Sequence, residues 1–294
     1  MKIFSILLLK NEVDIVQYTI DKALAWSDYV LIVDNMSTDG SWELINKTYR
    51  NNPKVLIWGQ YGGEFTNTVR QTIFNHYQRR MQYGDWICRL DADEVYIDNP
   101  KDFLSALPAK CDCVYNKSFQ FYFTEIDYEY ELLNGYQNFD NRLKYYLPNH
   151  SELRFVKYCP YTYWLQNTDW PHSRLYPAAM CIRLKHYQYR SIEQIRKRLY
   201  DRIHNSGRTH FVHEKMQYWY RIIPDYTPAD IGCDVDYNMY IVPSKLLMYD
   251  NGQYEIFKNT APSPPLKTRI AMRARSFIYN LIFKNFDERG EPVR

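Results

Sequence analysis

The chain lacks a strong excess of charge of either sign. Its 294 residues carry 37 Lys and Arg against 34 Asp and Glu, a net charge of +3, so no strong overall field attracts it to nucleic acid. It also lacks a long apolar run near its first residue, because the stretch after Met1-Lys2 already ends at Lys10-Asn11-Glu12. That stretch is too short for the core of a signal peptide or for a membrane span. We therefore expect a cytoplasmic protein that is not secreted.

The cysteines lack any regular framework. None of the six forms a Cys-x-x-Cys pair, and without such a pair a structural zinc site is not expected. Reduced thiols in a cytoplasmic protein fit this pattern. The sequence also shows no internal repeat of about 20–50 residues, which excludes a repeat architecture. With 46% hydrophobic and 24% charged residues, the composition is that of a globular protein.

The first hundred residues do contain a repeated alternation of a short apolar run and a helical pattern. The apolar runs, which predict strands, occupy residues 4–9, 29–33, 54–58 and 85–90. Helical spacing or a capping turn predicts helices over residues 13–26, from Ser41 onward and over residues 66–83. Repeated strand-helix units predict an α/β fold with a mostly parallel, doubly wound sheet.

The pattern changes beyond Pro100. Residues 113–123 predict a long strand, and residues 124–180 are Tyr-rich and irregular, so we expect antiparallel strands and loops there. Residues 191–204 return to helical spacing, with Ser191 as the cap. The later chain therefore predicts a smaller antiparallel or irregular region followed by carboxyl-terminal helices.

The fourth predicted strand ends at two aspartates, Asp91 and Asp93. Both carboxylates should emerge at the carboxyl edge of the sheet, where open α/β sheets bind ligands. Carboxylate oxygens suit Mg²⁺ or Mn²⁺, whose shell is often completed by water and substrate phosphates. Aspartates at such a place can also cap a turn or a helix. The ligand interpretation is favoured by further polar residues after the first two strands, namely Asn11, Glu12, Asp34 and Asn35.

Several segments keep a characteristic order and spacing. They are Lys10-Asn11-Glu12, Asp34-Asn35-Met36-Ser37-Thr38-Asp39-Gly40-Ser41, Arg70, and Asp85-Trp86 leading into Leu90-Asp91-Ala92-Asp93-Glu94. In this combination the chain resembles glycosyltransferase family 2 and its GT-A fold. A later stretch, His186-Tyr187-Gln188-Tyr189-Arg190-Ser191, is similar to a branch of that family with a later His-Tyr motif. The resemblance implies transfer of a sugar from a nucleotide-diphosphate donor, UDP-sugar above all, to a glycan or lipid-linked acceptor.

The resemblance implies a pocket for the base and ribose at the ends of the first two strands. Its expected lining is Asn11, Glu12 and Asp34, with Asn35 nearby. Asn11 and Glu12 could instead cap the first helix, and Asp39 is more typical of a turn or cap than of a ligand. On this interpretation residues 1–125 form the nucleotide-sugar-binding half of the catalytic domain.

The resemblance also implies roles around the acidic motif. Asp93 would bind Mn²⁺ or Mg²⁺ directly, and Asp91 would face the ribose or a metal-bound water. Arg70 would approach the diphosphate or steady the acidic motif, and its alternative is a solvated charge on a helix. His186 would close the metal site, since imidazole suits Mn²⁺, and its alternative is a core histidine.

The catalytic base is not evident from the sequence. An inverting transfer needs a carboxylate that takes the proton from the acceptor hydroxyl. Glu125 and Asp127 follow the long strand, whereas Asp169 stands beside Trp170, whose ring could stack on a sugar. We favour Asp169. The family's usual Glu-Asp pair is not visible here, so the base and the stereochemical outcome stay open, with inversion as the expectation.

Aromatic residues are dense between residues 158 and 170. Their ring faces suit the apolar faces of sugars, although a packed aromatic core is an equal alternative. They lie in residues 126–258, which we expect to bind the acceptor and close the site. His210 and His213-Glu214 have a zinc-like spacing, but without a third ligand we interpret it as incidental.

Residues 259–294 predict a Pro-rich linker and a basic amphipathic tail. Over residues 266–286, Lys and Arg alternate with apolar residues, as in segments that lie on anionic membrane surfaces. Packing of the tail on the catalytic domain is the alternative. A peripheral contact with the inner face of a membrane is therefore one of two expectations, and the tail is not apolar enough to span a bilayer.

Two other functions compete with this interpretation. A nucleotidyltransferase of related architecture needs a glycine-rich phosphate loop after its first strand, but residues 9–13 contain no Gly. A noncatalytic carbohydrate-binding protein is favoured by the aromatics but not by the nucleotide-pocket pattern. The sequence therefore favours a metal-dependent glycosyltransferase of polysaccharide biosynthesis.

Overall fold

The structure of this chain is a computed structural model. It describes residues 1–63, 66–135, 138–149, 151–159, 162–165, 168, 170–171, 176–205 and 247–248. The chain divides into two compact units. The first contains the described residues of Met1–Ser118 and His150–Lys185, and the second contains those of Phe119–Asn149 and His186–Phe257.

Ten strands lie within the described residues. In chain order they are β1 (Ile3–Leu9), β2 (Tyr29–Asp34), β3 (Val55–Gln60), β4 (Trp86–Asp91), β5 (Glu94–Tyr96), β6 (Cys113–Phe121), β7 (Tyr145–Pro148), β8 (Leu153–Lys157), β9 (Ile182–His186) and β10 (Leu247–Met248). The four predicted amino-terminal strands and the long strand near residue 113 are all present.

Seven α-helices lie within the described residues. They are α1 (Val16–Leu24), α2 (Ser41–Tyr49), α3 (Asn67–Tyr77), α4 (Pro100–Ser105), α5 (Glu125–Asn134), α6 (Phe139–Arg142) and α7 (Ile192–Asn205). A short 3-10 turn, Gln78–Arg80, follows α3, so the third predicted helix ends earlier than the sequence pattern indicated. Ser191 caps α7 as expected, because its Oγ accepts a hydrogen bond from the backbone N–H of Gln194.

The first unit is built on a mostly parallel sheet in the order β6-β8-β4-β1-β2-β3. β1 pairs in parallel with both β2 and β4, and β2 pairs in parallel with β3. β8 is antiparallel to both β4 and β6. All seven residues of β1 are buried, as expected of a central strand covered on both faces.

Helices cover both faces of this sheet. On one face, α1 contributes Val16 and Ile20 to a core that also contains Trp86 and Phe155. On the other face, α3 contributes Ile73 and Phe74. The period of apolar residues along each helix fits one buried stripe. The predicted α/β fold with a mostly parallel, doubly wound sheet is therefore confirmed.

In the second unit, β6 pairs antiparallel with β7, and β7 pairs antiparallel with β10. Its interior is aromatic: Phe121 lies 5.6 Å from Tyr146 and 5.1 Å from Tyr187, ring centre to ring centre. Helix α5 lies where the sequence indicated irregular structure. None of the helices within the described residues is long and apolar enough to cross a membrane.

Candidate functional site

Three parallel strands of the first unit end at the same level. Leu9 at the end of β1 pairs with Asp34 at the end of β2, and Leu8 pairs with Asp91 at the end of β4. Residues that follow these strands therefore meet at one edge, although they are distant in sequence. Among them are the polar residues singled out from the sequence.

Asn11 and Asp34 are brought together by Ser37. The Ser37 hydroxyl accepts a hydrogen bond from the backbone N–H of Asn11 at 2.8 Å and itself donates to Asp34. The Asn11 carboxamide oxygen accepts the backbone N–H of Thr38 at 2.8 Å. Asn11 has a φ of 55°, a left-handed conformation that Asn tolerates better than most residues. The loops after β1 and β2 thus form one hydrogen-bonded unit.

Glu12 leads into α1 through a backbone turn. Its carbonyl accepts the N–H of Val16 at 2.8 Å, and its own N–H donates to the Ser41 hydroxyl at 3.0 Å. Asp39 receives hydrogen bonds from Val13 and Ser41, so it acts as the turn residue that the sequence indicated. Glu12 is thereby fixed at the sheet edge.

Asn35 joins the loop after β2 to the loop after β3. Its amide group donates to the carbonyls of Tyr61 and Gly63, both at 2.8 Å. Gln60, the last residue of β3, donates to Asp34 Oδ2 at 2.9 Å. Gln60 is not among the residues predicted from the sequence, although a polar residue at the end of a strand is a signal that the sequence contains. These bonds hold the loops after β2 and β3 together at this edge of the sheet.

Arginines surround Asp91. Arg70, on α3, is 3% exposed and forms a hydrogen-bonded ion pair with Asp91. Arg154, on β8, contacts the same carboxylate at 2.8 Å, and Arg89 lies 3.6 Å from it. Burial raises the pKa of Asp91, but the three arginines outweigh burial and hold it well below its usual range. Asp91 is therefore ionised at any physiological pH.

Arg70 is not a solvated surface charge. Burial lowers the pKa of Arg70 to about 10, and the nearby Asp91 opposes that decrease. The guanidinium is still charged at neutral pH, and it forms an ion pair with Asp91. This contact fits one of the two roles that the resemblance implies for Arg70, that of steadying the acidic motif. Its approach to a diphosphate stays a prediction.

Arg154 is not among the residues predicted from the sequence. This arginine reaches Glu94 at 2.5 Å and Glu152 at 3.0 Å, in addition to Asp91. Burial lowers its pKa, but the carboxylates, Glu94 first, raise it well above the usual value. No sequence signal could have identified Arg154, because it lies 63 residues from Asp91 and meets it only through the antiparallel strand β8.

Asp93 lies in the turn between β4 and β5 and is 7% exposed. The same turn is anchored at Ala92, whose carbonyl accepts the Thr19 hydroxyl at 2.5 Å. Within the described residues, no three His, Cys, Asp or Glu side chains are grouped to hold a metal ion. A carboxylate such as Asp93 still suits Mg²⁺ or Mn²⁺ when phosphates and water supply the remaining ligands. Its chemistry therefore fits the expected ion.

Other predicted residues have different outcomes. His186 is the last residue of β9, is partly buried and belongs to the second unit, so its metal role stays a prediction. Asp127 is used by a helix cap, since its carboxylate accepts from the backbone N–H and hydroxyl of Thr124. Asp169, the histidines at 210 and 213, Glu214 and residues 259–294 lie outside the described residues.

The aromatic segment near residue 164 is partly core. Trp164 is buried and lies 5.8 Å from Phe74 of α3, ring centre to ring centre. Trp170 stacks parallel to Trp164 at 6.2 Å, while Tyr163 is exposed. Trp164 therefore packs against α3 in the core, and Trp170 and Tyr163 are the rings nearer to solvent.

Comparisons with known proteins give distant likenesses only. No family model matches the chain, and no curated protein matches it. TarS 1-349 from S. aureus in complex with UDP aligns with a TM-score of 0.30 and 18% identity, over 40% of this chain and 35% of that one. TarS 1-349 from S. aureus also aligns with a TM-score of 0.34 and 12% identity, over 74% and 69%.

A third solved structure is described as a glucose-1-phosphate thymidylyltransferase from Bacillus anthracis, in complex with sucrose. It aligns with a TM-score of 0.29 and 6% identity, over 41% of this chain and 55% of that one. The aligned part of this chain thus spans about a third of the first of these structures and about half of the third. Likenesses this distant establish no family and no activity for this chain.

Proposed function

We propose that this chain is a glycosyltransferase that uses a nucleotide-diphosphate sugar as donor. The observation that carries the proposal is the register by which Asp34 and Asp91 end β2 and β4, the two parallel strands on either side of β1, at one level, with Asn11 bound to the same loop as Asp34. Open α/β sheets bind nucleotides at this edge. The GT-A fold that the sequence resembles also has its donor site at this edge.

In this proposal the loops after β1 and β2 bind the nucleoside. Asn11, Glu12 and Asp34 line the base and ribose pocket, where carboxylate and amide oxygens accept hydrogen bonds from the ribose hydroxyls and the base. Asn35 holds the neighbouring loop in place through Tyr61 and Gly63. We propose uracil as the base, because the family resemblance implies UDP-sugar.

Asp93 is the proposed ligand of a divalent cation, Mn²⁺ or Mg²⁺. When bound, such an ion supplies Lewis-acid stabilisation of a departing diphosphate. Arg70 and Arg154 fix the Asp91 carboxylate near this ion.

The transfer itself needs a base, for which we propose Asp169. Its carboxylate would take the proton of the acceptor hydroxyl as that oxygen bonds to the anomeric carbon, while the bond from this carbon to the diphosphate breaks and the electron pair leaves with UDP. Attack on the anomeric carbon from the side opposite the diphosphate inverts that centre. We propose a glycan or lipid-linked acceptor in polysaccharide biosynthesis, reached through peripheral membrane contact of residues 266–286.

Calorimetry with nucleotides tests the donor site and the metal together. UDP and GDP are titrated into the protein with and without Mn²⁺, and we expect UDP to bind more tightly when Mn²⁺ is present. Asp93→Ala should remove the Mn²⁺-dependent part of the affinity, because a carboxylate ligand is lost. Asp102→Ala, which changes an exposed carboxylate of α4, is the matched control and should bind as the wild type does.

One result would contradict the proposal as a whole, and another would contradict only its metal role. A wild-type protein that binds neither nucleotide, with or without Mn²⁺, has no donor site at this edge. If UDP binds but Asp93→Ala keeps the full response to Mn²⁺, the nucleotide site stands and the metal role of Asp93 is wrong. Metal-dependent hydrolysis or transfer from a panel of UDP-sugars then tests the activity itself.

A further inference from the structure

Arg154 occupies an irregular position in the sheet of the first unit. Phe155 pairs with Val114 of β6, but the next pair joins Leu153 to Tyr115. Arg154 is therefore skipped in the pairing of β8 with β6, as in a β-bulge, which re-aims a side chain. The residue is only 3% exposed. A buried arginine at an irregularity in a sheet needs a specific partner, because an unpaired buried charge is costly.

The guanidinium of Arg154 bridges the two ends of the acidic turn. One terminal nitrogen lies 2.8 Å from Asp91 Oδ2, and the other lies 2.5 Å from Glu94 Oε1. Residues 91 and 94 are the last residue of β4 and the first residue of β5. Because the guanidinium is planar and rigid, these two bonds fix the separation of the strand ends between which Asp93 lies.

The turn is held at a third point. The Thr19 hydroxyl of α1 donates to the carbonyl of Ala92 at 2.5 Å, which restrains the backbone next to Asp93. Glu152 also contacts the Arg154 guanidinium, at 3.0 Å, and the backbone N–H of Glu152 donates to Asn116 of β6 at 2.6 Å. Glu152, which directly precedes β8, thus links the Arg154 guanidinium to Asn116 of β6.

We infer that Arg154 is a positioning residue that sets the direction of the Asp93 carboxylate. The inference rests on the proposed function, in which Asp93 binds the divalent cation. Arg154 does not contact the cation itself in this scheme. Partners behind a metal ligand orient that ligand, and their loss typically lowers metal affinity by about 10–100-fold.

Arg154→Lys is the informative variant. Lysine keeps the positive charge but cannot bind two carboxylates with a rigid planar group. Binding of Mn²⁺ in the presence of UDP, followed by Mn²⁺ paramagnetic resonance, should weaken by about 10-fold or more, and by clearly more than the affinity for UDP alone. The control is Arg183→Met, which breaks the half-exposed pair of Arg183 with Asp98 at 2.6 Å and should leave Mn²⁺ binding unaltered.

A second pair of variants separates positioning from stability. Arg154→Met leaves the buried Glu94 without its cation, so it is compared with the double variant Arg154→Met/Glu94→Gln, in which neither charge remains. We expect the double variant to regain melting temperature but not Mn²⁺ affinity. Recovery of both would show that Arg154 is only structural and would overturn the inference.

Different results would contradict the proposed function and the positioning role of Arg154. If the wild type shows no Mn²⁺-dependent binding of UDP, the proposed function and this inference fall together. If the wild type binds Mn²⁺ with UDP and Arg154→Lys binds it equally well, only the positioning role is wrong.

Discussion

Replacing Asp91 with Asn tests the ion-pair cluster at the end of β4. Three arginines face three carboxylates there, and Arg70, Arg89 and Arg154 all contact Asp91 within 4 Å. Asn has nearly the same shape and can still accept a hydrogen bond, but it carries no charge. The substitution therefore isolates the charge, and leaves the buried Arg70 without its carboxylate.

The size of the effect follows from burial. Removing one partner of a buried ion pair typically costs about 3–5 kcal/mol, because the remaining charge stays desolvated. Arg70 is 3% exposed, but the Asp91 side chain is 23% exposed, so solvent screens part of the interaction. We therefore expect Asp91→Asn to lower the free energy of unfolding by about 3 kcal/mol. For a domain of this size the melting temperature falls by roughly 6–12 °C.

Thermal unfolding followed by circular dichroism at pH 7 measures this change. The matched control is Asp98→Asn, since Asp98 pairs with Arg183, which is 39% exposed. A surface pair contributes at most about 1 kcal/mol, and Asn keeps an oxygen for the backbone N–H of Arg183. The reasoning is refuted if Asp91→Asn lowers the melting temperature no more than Asp98→Asn does.

Three further predictions concern pH, a helix cap and the aromatic segment. The arginines hold the pKa of Asp91 well below its unfolded value of about 3.9, so its stabilisation is complete above about pH 5 and declines as the pH falls below the unfolded pKa; the difference between wild type and Asp91→Asn in urea unfolding should therefore shrink from about pH 5 to about pH 3 without vanishing. Thr124→Ala removes one half of the capping box of α5 and should cost about 1 kcal/mol in urea unfolding, whereas Thr124→Ser should cost little. Trp164→Ala should lower stability by about 3–5 kcal/mol and Tyr163→Ala by less than about 0.5 kcal/mol; equal effects would contradict the core position of Trp164.

The strands of the first unit could be predicted because their signals are local. A run such as that of β1, with seven buried residues, needs only its own composition to indicate a strand covered on both faces. The cap at Ser191 and the turn at Asp39 also depend on bonds to residues two or three positions away. Because such contacts form between residues that are close in the sequence, they can be predicted from the sequence alone.

Helix α5 was missed although its signals were present. Thr124 and Asp127 have the spacing of a capping box, and Gly135 stands just past the last helical residue with a φ of 72°, as at many helix ends. The high Tyr content of the segment instead favoured strands and loops. Asp127 was considered as a base because it follows the long predicted strand, whereas its carboxylate caps the helix.

By itself, the sequence determined the strand-helix alternation, the placement of Asn11, Asp34 and Asp91 after strands, and thereby the sheet edge at which they meet. Only the tertiary structure decided that Arg154 and Arg70 would hold the Asp91 carboxylate. The physical reason is that strand formation and capping depend on nearby residues, whereas this cluster forms only when antiparallel β8 and helix α3 pack against β4 and bury charges that must then find partners.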